Sequence, residues 1–576
     1  MSGTPSSARP ASQPMTACRR TAVALLALVF LNASLSFRNW WPTPAILPDA
    51  RLAPGFVLLW LLLLLAVAWR GALSRRAAGV LAGVYLLLVV LRYADVTVPA
   101  LFGRTLSLYW DVPQLPRFFW VAVTGGAWPQ AIAGLTVLVL LGWGLHRLLR
   151  LSIEVVAREA VPYALRARWT WLATAVALGL VLANLAGVRA TWPLVSKPVL
   201  PTYLHQLRLL AAAASPEHMA RALPATSVVD GALASANPRA LEGLQGRDVY
   251  LVFLESVGAV VYDDERAARM LGTARERLAA DIAAAGLQVV SAFVRSPTIG
   301  GGSDLAHVSL LSGIDLSDPR RHDLLLTTTR PTLIGVFRSH GYETFGFYPS
   351  VSWDWPERAW YGYDQYVEGR PLDYRGPTFD NWWKIPDQFS FARFEQLYPR
   401  DARTPPRFVV AATISTHVPF IRVPPYQPDW QRLLGEQPFD AVDVTREMAR
   451  PVDWLDMMPV YVRLVDYTYR WIGGYLRQPR PRDTVYVLLG DHQPTANVSG
   501  EGASWDVPVH IISSDPELLA RFTAQGFAAG LEPPRTSLGL VTFDALEGGL
   551  AHAGHQPHVG GHVGAVGDLH AAACVR

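Results

Sequence analysis

Side chains that can bind a metal ion or attack an electrophile stand at the ends of several predicted strands. "DVYLVFLES" reaches Glu255, "TVYVLLGDH" ends at Asp491 and His492, and "RFVVAATISTH" runs into His417. Ser303 lies in a glycine-rich turn, "GGGSDLAHVSLLSG", that follows another predicted strand. A single carboxylate at a strand end is commonly a cap or an ion-pair partner. Several such positions together predict one shared site, because functional residues collect where the strands of these sheets end.

The chemistry that these residue types support is metal-assisted attack by a hydroxyl group. Carboxylates and imidazole around a divalent cation suit Zn²⁺ or Mn²⁺. A serine hydroxyl is a weak nucleophile at neutral pH, but a bound metal ion lowers its pKa and neutralises charge on the transferred group. A helix that begins after Ser303 would add backbone amides that favour an anion. His417 could protonate the leaving oxygen or hold the substrate.

Two residues of the glycine-rich turn each admit a structural interpretation beside the functional one. Ser303 could be merely the polar start of a helix that follows three glycines. His307, one helical turn further along, could face the substrate or could be a buried core histidine. We retain Ser303 as the candidate nucleophile and His307 as a candidate substrate-binding residue.

The elements that must position these residues alternate along the second half of the chain. Short apolar runs predict strands, and the stretches between them predict helices. The predicted strands are 248–256, 287–294, 343–350, 407–415, 484–491 and 507–514, and the predicted helices are 264–285, 304–312, 330–340 and 456–477. Continuously apolar strands that alternate with helices predict a layered α/β domain with a largely parallel sheet.

The first 190 residues predict a membrane domain. The chain is 51% apolar and only 17% charged, and its longest apolar runs lie in this part. A helix that crosses a bilayer needs about 20 mostly apolar residues. The predicted spans lie near 21–37, 54–70, 77–95, 129–147 and 169–188. The first could also be a cleaved signal peptide, because Arg19 and Arg20 precede it, but four further spans favour a retained helix.

Loop charges predict the orientation of this membrane domain. Arginines are frequent before the first span, between the second and third, and between the fourth and fifth. The alternate loops carry fewer, namely Arg38 and Arg51, and then Arg104 and Arg117. The positive-inside rule then places the N-terminus in the cytoplasm and everything after about residue 190 outside it. The five helices could serve as an anchor alone or could also help to bind a lipid substrate.

The chain divides into four predicted segments. They are a transmembrane domain at 1–190, a connector that could include an interfacial helix at 191–245, a catalytic domain at 246–550 and a flexible Gly/His-rich tail at 551–576. Cys18 and Cys574 lie near opposite ends, so neither a disulfide framework nor a zinc cluster is expected. A net charge of +4 without a basic block gives no sign of nucleic-acid binding.

The glycine-rich turn resembles the core motif of the alkaline phosphatase/sulfatase superfamily, C/S-x-P-S-R-x-x-L-x-T-G. Ser303 takes the nucleophile position, and "LLSG", ending at Gly313, falls in register. Leu305 stands where the motif has Pro, and His307 stands where it has Arg. Conversion of the nucleophile to formylglycine depends on that Pro and Arg. The resemblance therefore implies an unmodified Ser303 hydroxyl rather than an authentic sulfatase.

The whole chain resembles the membrane branch of this superfamily, which includes lipoteichoic acid synthase and the phosphoglycerol and phosphoethanolamine transferases. That branch combines a five-helix anchor with an extracytoplasmic catalytic domain, an α/β/α sandwich, and mostly uses Thr as nucleophile. Its recurring pieces match "LES", the nucleophile turn, "THVPF", "GDH" and "WWKIPDQFSF", the last with Asp387 at the Asp position. The resemblance places His417 at the substrate. It also implies four ligands for one divalent metal ion, namely Glu255, Ser303, Asp491 and His492.

An aromatic segment, "SWDWPERAWYGYDQY" at 352–366, is the predicted substrate-binding surface. Aromatic faces can carry sugars or lipid head groups, and an arginine can bind phosphate through two hydrogen bonds. The related branch has a Trp and an Arg in a similar place that grip a phosphoglycerol group, which implies Trp355 and Arg358 here. The segment could equally be an aromatic loop that packs on the core or on the membrane.

The predicted function is metal-dependent phosphotransfer at the cytoplasmic (inner) membrane of a bacterial cell, with the catalytic domain in the periplasm. Ser303 would attack a phospholipid, and the head group would pass through a covalent phosphoseryl intermediate to a glycan or lipid acceptor. The metal ion is predicted to be Mn²⁺, with Zn²⁺ and Mg²⁺ as alternatives. Two other functions stay open. One is a hydrolase of phosphate or sulfate esters, and the other is a non-catalytic sensor or assembly factor that retains the fold.

Overall fold

The computed structural model describes residues 17–540 apart from several short gaps. The gaps are 42, 124–127, 187, 189–193, 216, 218, 220, 228, 231–232, 234–240, 245, 352–357 and 380–384. Trp355, Cys574 and the predicted tail at 551–576 therefore lie outside the described residues.

Apolar helices make up most of the described part of the first 190 residues. Within that part, four helices are long and apolar enough to cross a membrane, namely Cys18–Ser36, Arg75–Phe102, Trp128–Arg166 and Arg168–Leu185. The remaining predicted span coincides with a shorter apolar helix of 17 residues, Pro54–Arg70. A π-helical turn, Val156–Ala160, interrupts the longest helix. Four of the five predicted spans thus have the required length, and the fifth is at the lower limit of what a bilayer requires.

The third apolar helix, Arg75–Phe102, has defined caps at both ends. Ser74 Oγ accepts the N–H of Ala77 at its start, and Gly103, with φ 74°, ends it in the left-handed conformation. The short helices that follow, and the helix of the connector, are Leu108–Asp111, Gln114–Ala122 and Val199–Ala213. Glycine adopts the left-handed conformation of Gly103 without strain, so the chain can turn sharply after Phe102.

A nine-stranded sheet forms the centre of the second half of the chain. Its strands in chain order are β1 (Asp248–Leu254), β2 (Gln288–Arg295), β3 (Glu343–Tyr348), β4 (Gln365–Glu368), β5 (Arg407–Ala412), β6 (Thr484–Gly490), β7 (Asp506–Ser513), β8 (Ala528–Ala529) and β9 (Ser537–Leu540). The spatial order is β8-β2-β7-β6-β1-β5-β3-β4, and β9 pairs with β2 outside this path. Parallel neighbours such as β1 and β5 need crossover connections, which contain helices here.

Most of this sheet is parallel. Five neighbouring strands, β4, β3, β5, β1 and β6, run in the same direction. Strand β7 is antiparallel to both β6 and β2, which makes β2 point the same way as the parallel group. The prediction of a largely parallel sheet is confirmed, with β7 as an exception among the long strands. The six predicted strands coincide with β1, β2, β3, β5, β6 and β7 to within a few residues.

Helices cover both faces of the sheet. Along β1, Tyr250 lies in one apolar cluster and Leu251, the next residue, lies in another. The longer helices of this half are Glu265–Ala284, Ser303–Ser312, Pro319–Leu326, Leu333–Ser339, Asp387–Leu397, Ala441–Met448, Met458–Leu476 and Pro516–Ala524. Shorter helical turns are Glu242–Leu244, Val260–Asp263, Arg358–Tyr361, Arg370–Leu372, Trp430–Leu433 and Ala496–Ser499. Burial on both faces is what an α/β/α sandwich requires, so the predicted fold class is confirmed.

Candidate metal centre

The predicted site residues follow strands that end at one edge of the sheet. Strands β1, β2, β5 and β6 point the same way, so their carboxyl ends share that edge. Glu255 comes directly after β1, Asp491 and His492 come directly after β6, and Ser303 follows the turn after β2. The topology therefore brings together residues that are far apart in the sequence.

Glu255 is fixed in place by hydrogen bonds from neighbouring segments. Its backbone N–H donates to Thr413 Oγ1 at 3.0 Å, and its carbonyl oxygen accepts the Thr416 hydroxyl at 2.5 Å. Oε1 of its carboxylate accepts the Ser256 hydroxyl at 2.8 Å. Ser256 has φ 53°, in the left-handed region, which turns the chain sharply after β1. The second carboxylate oxygen, Oε2, is left to face Ser303.

Asp491 uses one carboxylate oxygen for the backbone. Oδ1 accepts the N–H groups of Ser256 and His492, both at 2.7 Å. Oδ2 is buried and has no hydrogen-bond partner among the residues described. Gly490 permits this close arrangement, because a Cβ atom there would lie 1.9 Å from the carbonyl oxygen of Val257. A buried oxygen without a partner is costly, so Oδ2 requires a cation or a donor.

The imidazole of His492 turns a lone pair towards these carboxylates. Its Nδ1 lies 2.7 Å from the carbonyl oxygen of Gln493. Because a carbonyl can only accept, the neutral ring carries its proton on Nδ1 and has the lone pair on Nε2. Nε2 lies 3.6 Å from Glu255 Oε1 and 3.6 Å from Asp491 Oδ2. Metal-binding histidines are commonly held in this way, with the second ring nitrogen bonded to a carbonyl.

Ser303 completes the group as the first residue of the helix Ser303–Ser312. Its Oγ lies 3.1 Å from Glu255 Oε2 and 3.2 Å from His492 Nε2. Ser303 is half-buried, whereas Glu255 and His492 behind it are buried. Ser303 therefore does begin a helix, as the structural interpretation predicts. This position leaves its hydroxyl at the accessible side of the group.

The group fits a divalent cation. Glu255, Asp491 and His492 offer ligand atoms that all lie within 4.8 Å of one another. Two carboxylates, an imidazole lone pair and a hydroxyl oxygen are all acceptors, and the single proton of Ser303 can serve only one of them. A cation satisfies the remaining acceptors, including the free Oδ2 of Asp491. These oxygen and nitrogen ligands suit Zn²⁺ or Mn²⁺.

The pKa shifts within this group also favour a bound cation. Burial and the nearby Glu255 carboxylate raise the pKa of Asp491 to about 6. Burial lowers the pKa of His492, but the carboxylates of Asp491 and Glu255 outweigh it, and the net shift is upward. Both shifts mean that closely spaced carboxylates attract positive charge, for which a proton and a metal ion would compete.

His307 lies inside the protein, next to the metal-ligand candidates. Its side chain is 5% exposed, and its ring packs on that of Phe253 with 4.0 Å between centroids. Its Nε2 lies 3.9 Å from Asp491 Oδ2 and has no hydrogen-bond partner in the described part of the chain. Burial lowers the pKa of His307 to about 4, so the ring is neutral at pH 7. This is the position of a core histidine rather than that of a residue facing substrate.

His417 lies in the loop after β5 and is half-buried, with its Nδ1 in contact with the carbonyl oxygen of Val418.

The carboxylate of Asp387 holds this loop in place. Its buried carboxylate accepts the N–H groups of Ile414 at 2.8 Å and Ser415 at 2.9 Å. Asp387 was not identifiable as a support from the sequence, where it is only one matching letter of a motif. The structure gives it the role of holding the loop that carries His417.

Arg358 packs on a ring of the aromatic segment to which it belongs. Its exposed guanidinium stands 5.1 Å from the centroid of the Tyr366 ring. Tyr366 stacks on Tyr348 at 5.9 Å, and the Tyr348 ring lies 6.3 Å from that of His307. A row of ring contacts therefore links Arg358 to His307. Trp355 is outside the described residues, so the predicted pairing of these two residues stays a prediction.

Comparison with protein families finds one match, within the second half of the chain. Residues 282–513 match the family described as Sulfatase. The matched segment contains Ser303, Asp491 and His492, while Glu255 precedes it. Residues 282–513 therefore form a stretch similar to the Sulfatase family, and they lie within the α/β domain described above. The resemblance that the glycine-rich turn predicts is confirmed for this domain.

Several solved structures are similar to the chain. A protein of the alkaline phosphatase superfamily from Vibrio parahaemolyticus is 18% identical, with a TM-score of 0.33, and the match covers 47% of this chain and 61% of that one. The C-terminal periplasmic domain of EcEptC from Escherichia coli, in complex with Zn, is 15% identical (TM-score 0.33; 51% and 79% covered). The Streptococcus pyogenes phosphoglycerol transferase GacH, in complex with sn-glycerol-1-phosphate, is 12% identical (TM-score 0.34; 56% and 88% covered). The chain thus spans about three fifths of the Vibrio protein. No curated protein matches it.

Proposed function

We propose that this protein is a membrane-anchored, metal-dependent phosphotransferase with Ser303 as its nucleophile. The observation that carries the proposal is the half-buried Ser303 hydroxyl, 3.1 Å from Glu255 and 3.2 Å from His492, within a group of acceptors that requires a cation. The sulfatase-family domain supports chemistry on phosphate or sulfate esters. Leu305 and His307, in place of the Pro and Arg that formylglycine formation needs, favour phosphoryl transfer by an unmodified serine.

In the first half-reaction, Ser303 Oγ forms a bond to the phosphorus of a phosphodiester, and the bond from phosphorus to the leaving oxygen breaks. The Ser303 proton is released as this bond forms, and Glu255 Oε2, 3.1 Å from Ser303 Oγ, is the proposed acceptor. The leaving oxygen takes the electron pair and a proton, for which His417 is the proposed donor. With a phospholipid donor the leaving group is diacylglycerol, and the head-group phosphate stays on Ser303.

In the second half-reaction, a hydroxyl group of the glycan or lipid acceptor attacks the phosphoserine. The bond from phosphorus to Ser303 Oγ breaks, and the proton of the acceptor hydroxyl replaces the one that Ser303 lost. A divalent ion bound by Glu255, Ser303, Asp491 and His492 would lower the pKa of the attacking hydroxyl and offset charge on the phosphoryl group. We propose Mn²⁺, with Zn²⁺ and Mg²⁺ as alternatives.

The proposed location is the inner membrane of a bacterial cell, with the catalytic domain, 246–550, in the periplasm. The apolar helices of 1–190 and the arginine distribution of their loops support this orientation. The connector, 191–245, would then lie at the periplasmic surface of the inner membrane. Trp355 and Arg358 remain proposed substrate-binding residues.

Mass spectrometry of Ser303 tests the proposal directly. Full-length protein loaded with Mn²⁺ is incubated with vesicles of phosphatidylglycerol or phosphatidylethanolamine, digested and analysed. We expect the peptide with Ser303 to gain the mass of a glycerophosphate or phosphoethanolamine group, and we expect Ser303→Ala to abolish turnover while the protein stays folded. Ser317→Ala, which changes a serine outside the group, should behave as wild type.

The outcomes separate the alternatives. Loss of the adduct on addition of a glycan acceptor supports a transferase, whereas loss of the adduct to water alone indicates a hydrolase. Full turnover by Ser303→Ala would overturn the nucleophile assignment. A protein that binds neither Mn²⁺ nor Zn²⁺ would favour the non-catalytic alternative.

A further inference from the structure

The end of the third apolar helix contacts the turn that carries the nucleophile. Gly300, in the turn before Ser303, lies against the backbone of Phe102. A Cβ atom at Gly300 would stand 2.1 Å from the Phe102 carbonyl oxygen and 2.8 Å from its carbonyl carbon. Gly300 also has φ 67°, which other residues rarely adopt. The two halves of the chain therefore meet backbone to backbone beside the candidate nucleophile.

The next residue of the membrane domain, Gly103, lies between two segments of the site. From the position that a Cβ atom would take at Gly103, Ile299 is 3.4 Å away and Ala496 is 3.9 Å away. Ile299 belongs to the nucleophile turn, and Ala496 follows His492 in the segment after β6. The loop that continues from Gly103 thus starts beside the two segments that carry Ser303 and His492.

This loop, 103–111, is held in place from two further directions. The Tyr109 hydroxyl donates to Asp323 Oδ2, at 2.7 Å, on the helix Pro319–Leu326. The Gln206 side chain, on the connector helix, accepts the N–H of Leu108 and donates to the carbonyl of Leu106, both at 3.2 Å. A loop fixed at several points can present a side chain to a ligand without a large cost of ordering.

Arg104 is the charged residue at the start of this loop. Its guanidinium donates two hydrogen bonds to Asp111, at 2.6 and 3.0 Å, and Asp111 also accepts the N–H of Ser107 at 2.8 Å. A guanidinium has five N–H donors, so the forked pair of hydrogen bonds to Asp111 leaves donors for a second anion.

The charge balance of the site calls for a cation of this kind. The carboxylates of Glu255 and Asp491 together cancel the charge of a divalent ion. A phosphodiester then brings a further negative charge, and more negative charge develops on its oxygens during transfer. An arginine binds phosphate oxygens through paired hydrogen bonds, a geometry that lysine does not reproduce.

We propose that Arg104, supplied by the loop of the membrane domain, binds the phosphate group of the donor while that phosphate is at Ser303. The inference rests on the proposed function and adds a specificity residue from outside the sulfatase-family domain. The chemistry it recognises is a phosphodiester anion, whether in a soluble ester or in the head group of a membrane lipid.

The test uses full-length protein with Mn²⁺, reconstituted in nanodiscs, and three variants. Arg104→Gln removes the charge, Arg104→Lys keeps the charge but not the fork, and Arg320→Gln is the matched control. Arg320 pairs with Asp318 at 2.6 Å with side-chain exposures of 23% and 31%, and the Arg104–Asp111 pair has the same separation with exposures of 21% and 20%. The probes are bis(p-nitrophenyl) phosphate as a soluble substrate, phosphatidylglycerol in the nanodisc, and inorganic phosphate in calorimetry.

We expect Arg104→Gln to raise the KM for both substrates and the Kd for inorganic phosphate by about tenfold or more, with a smaller change in kcat. Arg104→Lys should lie between Arg104→Gln and wild type, and Arg320→Gln should match wild type. Unchanged constants in Arg104→Gln would overturn the proposal, as would equal changes in Arg320→Gln. An effect on the lipid alone would also overturn it, since a phosphate contact must act on both esters.

Two readouts keep this inference separate from the proposed function. Wild-type protein that binds phosphate through Arg104 but transfers nothing would contradict the proposed function and leave the inference standing. Normal transfer by a protein in which Arg104 has no effect would contradict the inference and leave the proposed function standing. If Arg104→Gln does not fold, the Kd of Arg104→Lys for phosphate decides, because an unchanged value would overturn the proposal.

Discussion

Nε2 of His307 lies 3.9 Å from Oδ2 of Asp491, and neither atom has a hydrogen-bond partner among the described residues. The separation is about 1 Å too long for a hydrogen bond. Because the ring is neutral at pH 7, a proton on Nε2 could be donated to Asp491 after a small shift. Carboxylates that bind metal ions are commonly supported by such donors.

We therefore expect His307→Phe to weaken metal binding about tenfold. Phenylalanine keeps the ring contact with Phe253 but removes both ring nitrogens. His307→Gln, which keeps an N–H donor, should lose less affinity. Metal affinity is measured by competition with a chelator, and the unfolding midpoint of the metal-free protein serves as the control. Equal affinity for wild type and His307→Phe would show that the ring serves only to fill the core.

Metal binding should weaken as the pH falls. The pKa of Asp491 is raised to about 6, and that of His492 is raised above its ordinary value, so both groups bind protons in the metal-free protein below neutral pH. Protons and the metal ion compete, and each proton displaced changes the affinity by about tenfold per pH unit. Calorimetry with Mn²⁺ between pH 5 and 8 measures this. A pH-independent affinity, with buffer ionisation accounted for, would contradict the ligand assignment.

Gly300→Ala should damage both folding and turnover. The new Cβ atom would collide with the Phe102 carbonyl, and alanine is strained at φ 67°. We expect a loss of more than about 1 kcal/mol in unfolding free energy and a fall in kcat of about tenfold or more, because Ser303 would be displaced. Gly272→Ala is the control, since that glycine lies in the helix Glu265–Ala284 with no atom within 4 Å of its added Cβ. Wild-type kcat in Gly300→Ala would contradict the close approach.

Asp387→Asn should loosen the loop that carries His417. An asparagine keeps one oxygen for the N–H groups of Ile414 and Ser415, and its amide nitrogen would face the other donor. The expected loss is about 1–3 kcal/mol of unfolding free energy, with a lower kcat and unchanged metal affinity. Asp429→Asn is the matched control, because Asp429 caps a short exposed helix, where asparagine is an equivalent cap. A drop in metal affinity would mean that Asp387 acts on the metal centre itself.

A buried histidine on β7, which is not one of the proposed metal ligands, should make stability depend on pH. His510 lies against Ser291 and Tyr262, and burial lowers its pKa from 6.5 to about 4. Between these values the unfolded chain binds more protons than the native protein. The contribution is therefore complete above pH 6.5 and declines as the pH falls, by up to about 3 kcal/mol at pH 4. His510→Gln should flatten this dependence, whereas His205→Gln, at an exposed site, should not. Parallel profiles of stability against pH for wild type and His510→Gln would contradict this contribution of His510.

The core of the candidate site could be predicted because each of its residues is adjacent to a strand or to a glycine-rich turn. Continuous apolar runs locate β1 and β6, and a parallel sheet brings Glu255 and His492 to one edge. The antiparallel direction of β7 could not be predicted in this way. Its sequence is as apolar as that of its parallel neighbours, and direction depends on how the connections run.

Residues whose roles depend on loop packing were not predictable from local patterns. His307 points inward because the helix Ser303–Ser312 buries every residue after Asp304, which the spacing of the sequence alone does not reveal. Arg104 is, in the sequence, one of the few arginines in the predicted outer loops. The available signal was its position on the same side of the membrane as the catalytic domain, with Asp111 nearby to hold it.

The contact between Phe102 and Gly300 bears on how such a protein can be divided. A fragment that begins after the connector would lack Phe102 and Gly103 and would leave Ile299 and Ala496 uncovered. Grafting the α/β domain onto a foreign membrane segment would therefore require the third apolar helix and its loop to be transferred with it, because the turn before Ser303 packs on the end of that helix.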